Sequence, residues 1–159
     1  MSTSMIDGGS ITMSNGPSEK TIAVVTSTSF DFEGPDGDYD ETVPPGRAFA
    51  DFVVNRLVSN GAKCIANPVP GEEGWTFDVT IVNTPYRVFV HWAPIGNPPT
   101  DRWVIQPDVC KGLLRSLVGR RTSDSEVAPI VVELRRALDD AAEIDNVDWI
   151  TREKFTNMY

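Results

Sequence analysis

Two neighbouring segments, WTFDVTIV (residues 75–82) and PYRVFVHW (85–92), constrain the fold of this chain more than any other feature. Each alternates apolar and polar side chains, the period of a strand with one buried face. Only Asn83 and Thr84 separate them, and a two-residue connection between alternating segments is a hairpin. With Asn83-Thr84 as the loop, Val82 pairs with Pro85. Ile81, Val79, Phe77 and Trp75 then stand opposite Tyr86, Val88, Val90 and Trp92 on one apolar face. The other face carries Thr80 opposite Arg87, Asp78 opposite Phe89 and Thr76 opposite His91. A slip by one residue would turn every side chain to the wrong side, so the agreement of the two segments identifies the core face. Pro85, without a backbone donor, belongs at the start of its strand.

The rest of the chain is read around this hairpin. TIAVVTSTSFDF (21–32) is β-branched and aromatic and predicts a strand, and the Gly, Pro and acidic residues of EGPDGDYDETVPPG end it. Phe49, Phe52, Val53 and Leu57 recur at three- and four-residue steps, predicting an amphipathic helix opened by Pro45 and closed at Asn60-Gly61. AKCIANP (62–68) reads as a short strand. A Pro-rich link, APIGNPPT (93–100), leads to the strand DRWVIQP (101–107), and DVCKGLLRSLVG (108–119) reads as a short helix. Ser123–Glu143 predicts a second long helix, with Ser123 and Glu126 at capping-box spacing. Val147–Ile150 suggests an edge strand, and Thr151 a cap for a last turn through Phe155.

Runs of adjacent strands with segregated helices predict an α+β fold, a mainly antiparallel sheet of about five or six strands. Its two long amphipathic helices pack on one face, leaving the other face partly open. Residues 1–20 read as a flexible leader and 21–159 as a single domain. The length of 159 residues suits one core.

Composition removes several function classes. A formal charge of −9 opposes a phosphate backbone, so nucleic acid is a poor partner. No apolar run reaches the 18 or so residues of a spanning helix, and MSTSMIDGGSITMSNGPSEK has neither the early positive charge nor the apolar stretch of a secretion signal. The two cysteines, Cys64 and Cys110, lack both disulfide-framework and metal-site patterns, which points to a reducing cytoplasm. Phosphate-loop, H-E-x-x-H and C-x-x-C motifs are absent, so no cofactor is expected.

Four features invite a functional reading. His91, the single histidine, lies diagonal to Asp78 in the derived register, the beginning of a general base oriented by a carboxylate, but no nucleophile accompanies it. The acidic run Asp31, Glu33, Asp36, Asp38, Asp40, Glu41 fails the calcium-loop pattern, since Glu41 and Arg47 stand where Gly and Glu are required. Lys111, Arg115, Arg120 and Arg121 form a basic cluster beside Leu113, Leu114 and Leu117, suited to an anionic surface or acidic partner. Trp75 and Trp92 share the core face of the hairpin, which favours packing over a ligand cage.

The reading that follows is a non-catalytic protein-binding module using the open sheet face. Its candidate contacts are Arg87, Phe89, His91, Arg102 and Val104, with Lys111 and Arg115 from the basic segment. The partner is another protein or a second copy of the chain. The alternative is a small hydrolase or transferase with His91 as base and Asp78 as its orienting group. In size, and in the segments WTFDVTIV and DRWVIQPDVCKGLLRSLVGRR, the chain resembles short single-domain bacterial proteins, some of which are toxin-neutralising immunity proteins. That resemblance carries no functional residue onto this sequence.

Overall fold

The computed structural model describes residues 19–30, 43–64, 66–110 and 123–158. Within them β1 (Lys20–Thr26) is followed by α1 (Arg47–Ser59), β2 (Lys63–Cys64), β3 (Val69–Pro70), β4 (Gly74–Ile81), β5 (Thr84–Ile95) and β6 (Thr100–Val109). A 3-10 turn (Asp124–Val127), α2 (Ala128–Asp139), β7 (Asn146–Thr151) and α3 (Arg152–Met158) complete the order. The strands form one seven-stranded antiparallel sheet in the order β2-β4-β5-β6-β1-β7, with β3 also paired to β4.

β4 and β5 form the hairpin with the expected faces but different partners. The loop is Val82-Asn83, both at positive φ (45° and 67°), and Ile81 pairs with Thr84. Trp75 therefore stands opposite Val90, Thr76 opposite Phe89, Asp78 opposite Arg87 and Gly74 opposite His91. Proline explains the correction. The residues flanking a two-residue loop exchange both backbone hydrogen bonds, and Pro85 has no N–H to give. Thr84 takes that place, and the carbonyl of Pro85 accepts instead from the N–H of Cys110 at 3.2 Å. The change moves each partner by two positions, so no side chain changes face.

β5 and β6 are longer than expected. Ala93 and Ile95 keep alternating inward, opposite Arg102 and Thr100, so the Pro-rich link shrinks to residues 96–99. β6 continues through Pro107 to Val109. β1 lies between β6 and β7, and its apolar run is buried on both sides: Ala23 and Val25 in one core, Ile22 and Val24 in another. The second predicted helix begins as the 3-10 turn, where the Glu126 carboxylate accepts the N–H of Ser123 at 2.7 Å, and α2 ends at Asp139 rather than Glu143.

The larger core joins Phe49, Val53 and Leu57 of α1 and Ile130, Leu134 and Leu138 of α2 to Trp75, Phe77, Val88, Val90, Trp103 and Ile105 of the sheet. Phe49 stacks on Trp103 with ring centroids 5.2 Å apart. Gly46, not Pro45, sets the start of α1: it caps the helix at φ 116°, and a Cβ there would lie 2.8 Å from the Trp103 ring. Only glycine combines that conformation with that approach.

The smaller core shows what closes part of the second face, the one expected to be partly open. Ile22, Val24, Ala93, Ile95, Val104 and Ile150 cluster there, and Phe155 of α3 packs on them. The hairpin alone shows a polar second face, but β1, β7 and the far halves of β5 and β6 add an apolar patch that requires cover. α3 supplies it, started by Thr151, whose hydroxyl accepts the N–H of Lys154 at 3.0 Å. Among the described residues no helix is long and apolar enough to cross a membrane.

Candidate functional site

The site is built on the second face of the sheet, and His91 lies at the junction of its covered and uncovered halves. Its ring is stacked on Phe89 at 4.7 Å and meets Phe155 edge-on at 6.0 Å, which leaves the residue 4% exposed. The Gln106 amide Nε2–H donates to His91 Nε2 at 2.8 Å, and Nδ1 faces the Trp92 carbonyl at 3.4 Å. An Nε2 that accepts fixes the neutral ring with its proton on Nδ1. Burial pushes the imidazole below its ordinary value, while the Trp92 carbonyl and the charge of Glu73 act the other way.

His91 and Asp78 are not brought together. Asp78 is opposite Arg87, four positions along β5 from His91, a separation of about 13 Å at the rise of a strand. Its two carboxylate oxygens accept from Arg87 Nε at 2.9 Å and Nη2 at 3.1 Å. Those bonds hold the carboxyl below the usual aspartate range, against a smaller opposing effect of burial. The base and its orienter, drawn from the shifted register, therefore form no dyad, and the lone pair a base would use is occupied by Gln106.

Trp92 also departs from expectation. It stands on the core face opposite Trp103, yet past the rim of the core, 38% exposed, with Nε1–H donating to Asp101 at 2.9 Å. Trp75 is buried, as expected of a core residue, and Trp103 is buried with it.

Beside the covered half of the face opens a cleft of about 480 Å³, lined among the described residues by Ile22, Thr76, Arg87, Phe89, Gln106, Pro107, Asp108 and Arg152. Its floor is a row across three strands: Thr76 of β4, Phe89 of β5 and Gln106 of β6. Arg87 and Asp108 form the next row. Arg152, at the start of α3, borders the cleft and pairs with Asp124 at 3.7 Å. Two guanidinium groups thus border a half-buried aromatic floor, each held by a carboxylate.

Of the candidate binding residues, Arg87 and Phe89 belong to this cleft. Arg102 is half-buried opposite Ala93, and its Nη1 donates to the Asp101 carbonyl. His91 and Val104 are buried and present no surface. Lys111, Arg115, Arg120 and Arg121 lie outside the described residues, as does the acidic run from Asp31 to Glu41. Gln106 and Asp108 were missed although Gln106 stands on the polar side of the alternation in DRWVIQP; Arg152 has no sequence signal, since only the fold carries it to the cleft.

Nothing in the described site assembles a metal centre or an activated nucleophile. Among the described residues no three metal-ligating side chains cluster. Burial and the charge of Asp78 push the Cys64 and Cys110 thiols above their ordinary value, which disfavours the reactive thiolate. What the arrangement offers is a shaped, aromatic-floored recess with fixed charges. The chain matches no family model, no curated protein and no solved structure, so its functional reading rests on this geometry.

Proposed function

We propose that this chain is a non-catalytic interaction module that receives a segment of another protein, or of a second copy of itself, in the cleft on its second sheet face. The observation that carries the reading is the half-buried ring of Phe89 in a recess of about 480 Å³ that Arg87 and Arg152 also line. Aromatic and arginine side chains are the groups that dominate protein interfaces, because they contribute large contact area and directed hydrogen bonds. Covering Phe89 removes apolar surface from water, and the two arginines fix the orientation of what covers it. The larger helices α1 and α2 serve the opposite face, and α3 covers only half of this one. A reducing compartment, the cytoplasm in the simplest case, suits the two free thiols.

The test compares wild type with Phe89→Ala and Arg87→Ala, each checked for native circular dichroism, in affinity capture from the source cells and in sedimentation velocity. The expected result is one captured protein, or a concentration-dependent dimer, whose affinity falls about thirtyfold in Phe89→Ala, the effect of losing about 2 kcal/mol at an interface anchor. Capture or dimerisation indifferent to both substitutions overturns the cleft as the binding surface. A chain that stays monomeric and captures nothing overturns the module itself.

A further inference from the structure

The junction beside the cleft holds a titratable group that partner binding does not use. His91 is the single histidine of the chain and thus the side chain whose charge changes near neutrality. We propose that His91 is an acid-released latch for α3: neutral, its ring holds Phe155 and the helix over Ile22, Val24 and Val104; protonated, it favours a state in which α3 has lifted and uncovered that apolar patch.

The geometry sets both the lock and the direction of opening. In the neutral ring Nε2 accepts from Gln106 and Nδ1 points its hydrogen at the Trp92 carbonyl. A second proton on Nε2 would confront the Gln106 N–H at 2.8 Å, donor against donor. Rotating the Gln106 amide would turn its oxygen inward and relieve that clash, but the cation would remain buried, at 4% exposure, between Phe89 and Phe155. On the β4 side there is no slack: a Cβ built on Gly74 would lie 2.7 Å from His91 Cβ. Water reaches the ring when α3 moves. α3 has little to resist with: seven residues, none of them fully buried, and Phe155 as its apolar anchor.

The neighbouring charges do not reverse this. Glu73, entering β4, favours the cation. β6 brings the cationic Arg102 on the same face, and α3 brings the cationic Lys154 beside Phe155 and Arg152 one turn earlier, with the acidic Glu153 between them exposed to solvent. β1 presents the uncharged Ile22 and Val24. Burial is the largest influence, and it lowers the affinity of the closed form for the proton. In the lifted form the imidazole is solvated and has its ordinary value near 6.5. The open form therefore binds the proton more tightly, so the closed form is fully favoured above that value and loses ground as pH falls below it. Opening rises about tenfold for each pH unit below it, until the closed form itself is protonated.

Amide hydrogen exchange on the full chain tests this, with rates divided by intrinsic rates at about pH 7.5 and about pH 5.5. The expected result is an increase of about tenfold in the opening of α3, with α1 and α2 unchanged, and a flat response in His91→Phe, which keeps an aromatic ring and cannot titrate. His91→Gln gives the same comparison if the phenylalanine variant does not fold. Equal protection of α3 at both pH values in wild type overturns the latch, and so does an equal increase in the non-titrating variant. An imidazole NMR titration of the folded protein at or above the ordinary histidine value also overturns it.

Discussion

The two faces of the sheet are solved in different ways. On the first, large side chains from two helices and from β1, β4, β5, β6 and β7 interlock in one cluster, with Phe49 stacked on Trp103 and edged by Phe30. On the second, six buried apolar residues and His91 are covered by a short helix with one half-buried aromatic anchor, and the row beside them is left as a polar-rimmed cleft. The source of the difference is the alternation itself. The inward positions of the hairpin are uniformly apolar on the first face, whereas the second mixes Thr76, Asp78, Arg87, Phe89 and His91. A strand row of that composition cannot be sealed cheaply, because each polar group shut away from water requires a partner. One face is therefore the seat of stability, and the other holds the groups that the proposed reading assigns to recognition.

If this division is right, the largest loss comes from the first face. Phe49→Ala removes a fully buried ring from between Trp103 and Phe30 and is expected to cost about 3–5 kcal/mol, the range for large aromatic truncations in a packed core. Guanidinium denaturation gives the value, and a loss below about 1 kcal/mol would break the comparison. Gly46→Ala follows, at about 2–3 kcal/mol. The new Cβ meets Trp103 at 2.8 Å, and φ of 116° strains any L side chain. Gly61, also at positive φ but with nothing near its missing Cβ, is the control: Gly61→Ala should cost less, through backbone strain alone.

Much of this division is legible in the sequence, and the parts that are not have identifiable physical causes. The α+β class, the hairpin, its core face and both amphipathic helices follow from periodicity, since side-chain direction is fixed by period and unaffected by the two-residue change of partners. The pairing is less visible. An Asn-Thr loop is plausible on turn propensity, and Val82 in a left-handed conformation is not what propensity suggests. The missing N–H of Pro85 outweighs it. That one atom separates His91 from Asp78 and gives Asp78 to Arg87. The burial of His91 is also hidden, because its cover arrives from residue 155, far away in the chain. Likewise Arg152 enters the cleft only because β7 pairs with β1.

The second face should respond on a smaller scale and more locally. Phe155→Ala removes the anchor of α3 from the smaller core, at an expected cost of about 1–2 kcal/mol, less than a fully buried ring because Phe155 keeps part of its surface in water. Its signature is regional: amides of α3 lose protection while those of α1 and α2 do not, since the opening of a short helix held by one side chain is separate from global unfolding. A uniform loss of protection across the sheet would show that the two faces are one cooperative unit and erase the distinction between them.

The smallest effect is expected at the rim of the cleft. The side chains of Asp78 and Arg87 form a two-pronged pair but are 49% and 59% exposed. A double-mutant cycle with Asp78→Ala and Arg87→Ala is therefore expected to give a coupling of about 0.5 kcal/mol, within the range of surface pairs and weaker in high salt. The Asp78 carboxyl titrates below its ordinary 3.8 because Arg87 bonds its charged form. Its contribution is accordingly complete above that value and fades as pH falls through the lower folded value. Repeating the cycle at about pH 3 or below should shrink the coupling further, in the direction opposite to any change carried by a raised group. A coupling of several kcal/mol would mean that Arg87 is spent on holding the sheet together. A small one fits the role proposed for Arg87 at the border of the cleft, where Arg87→Ala is expected to weaken binding more than it weakens the fold.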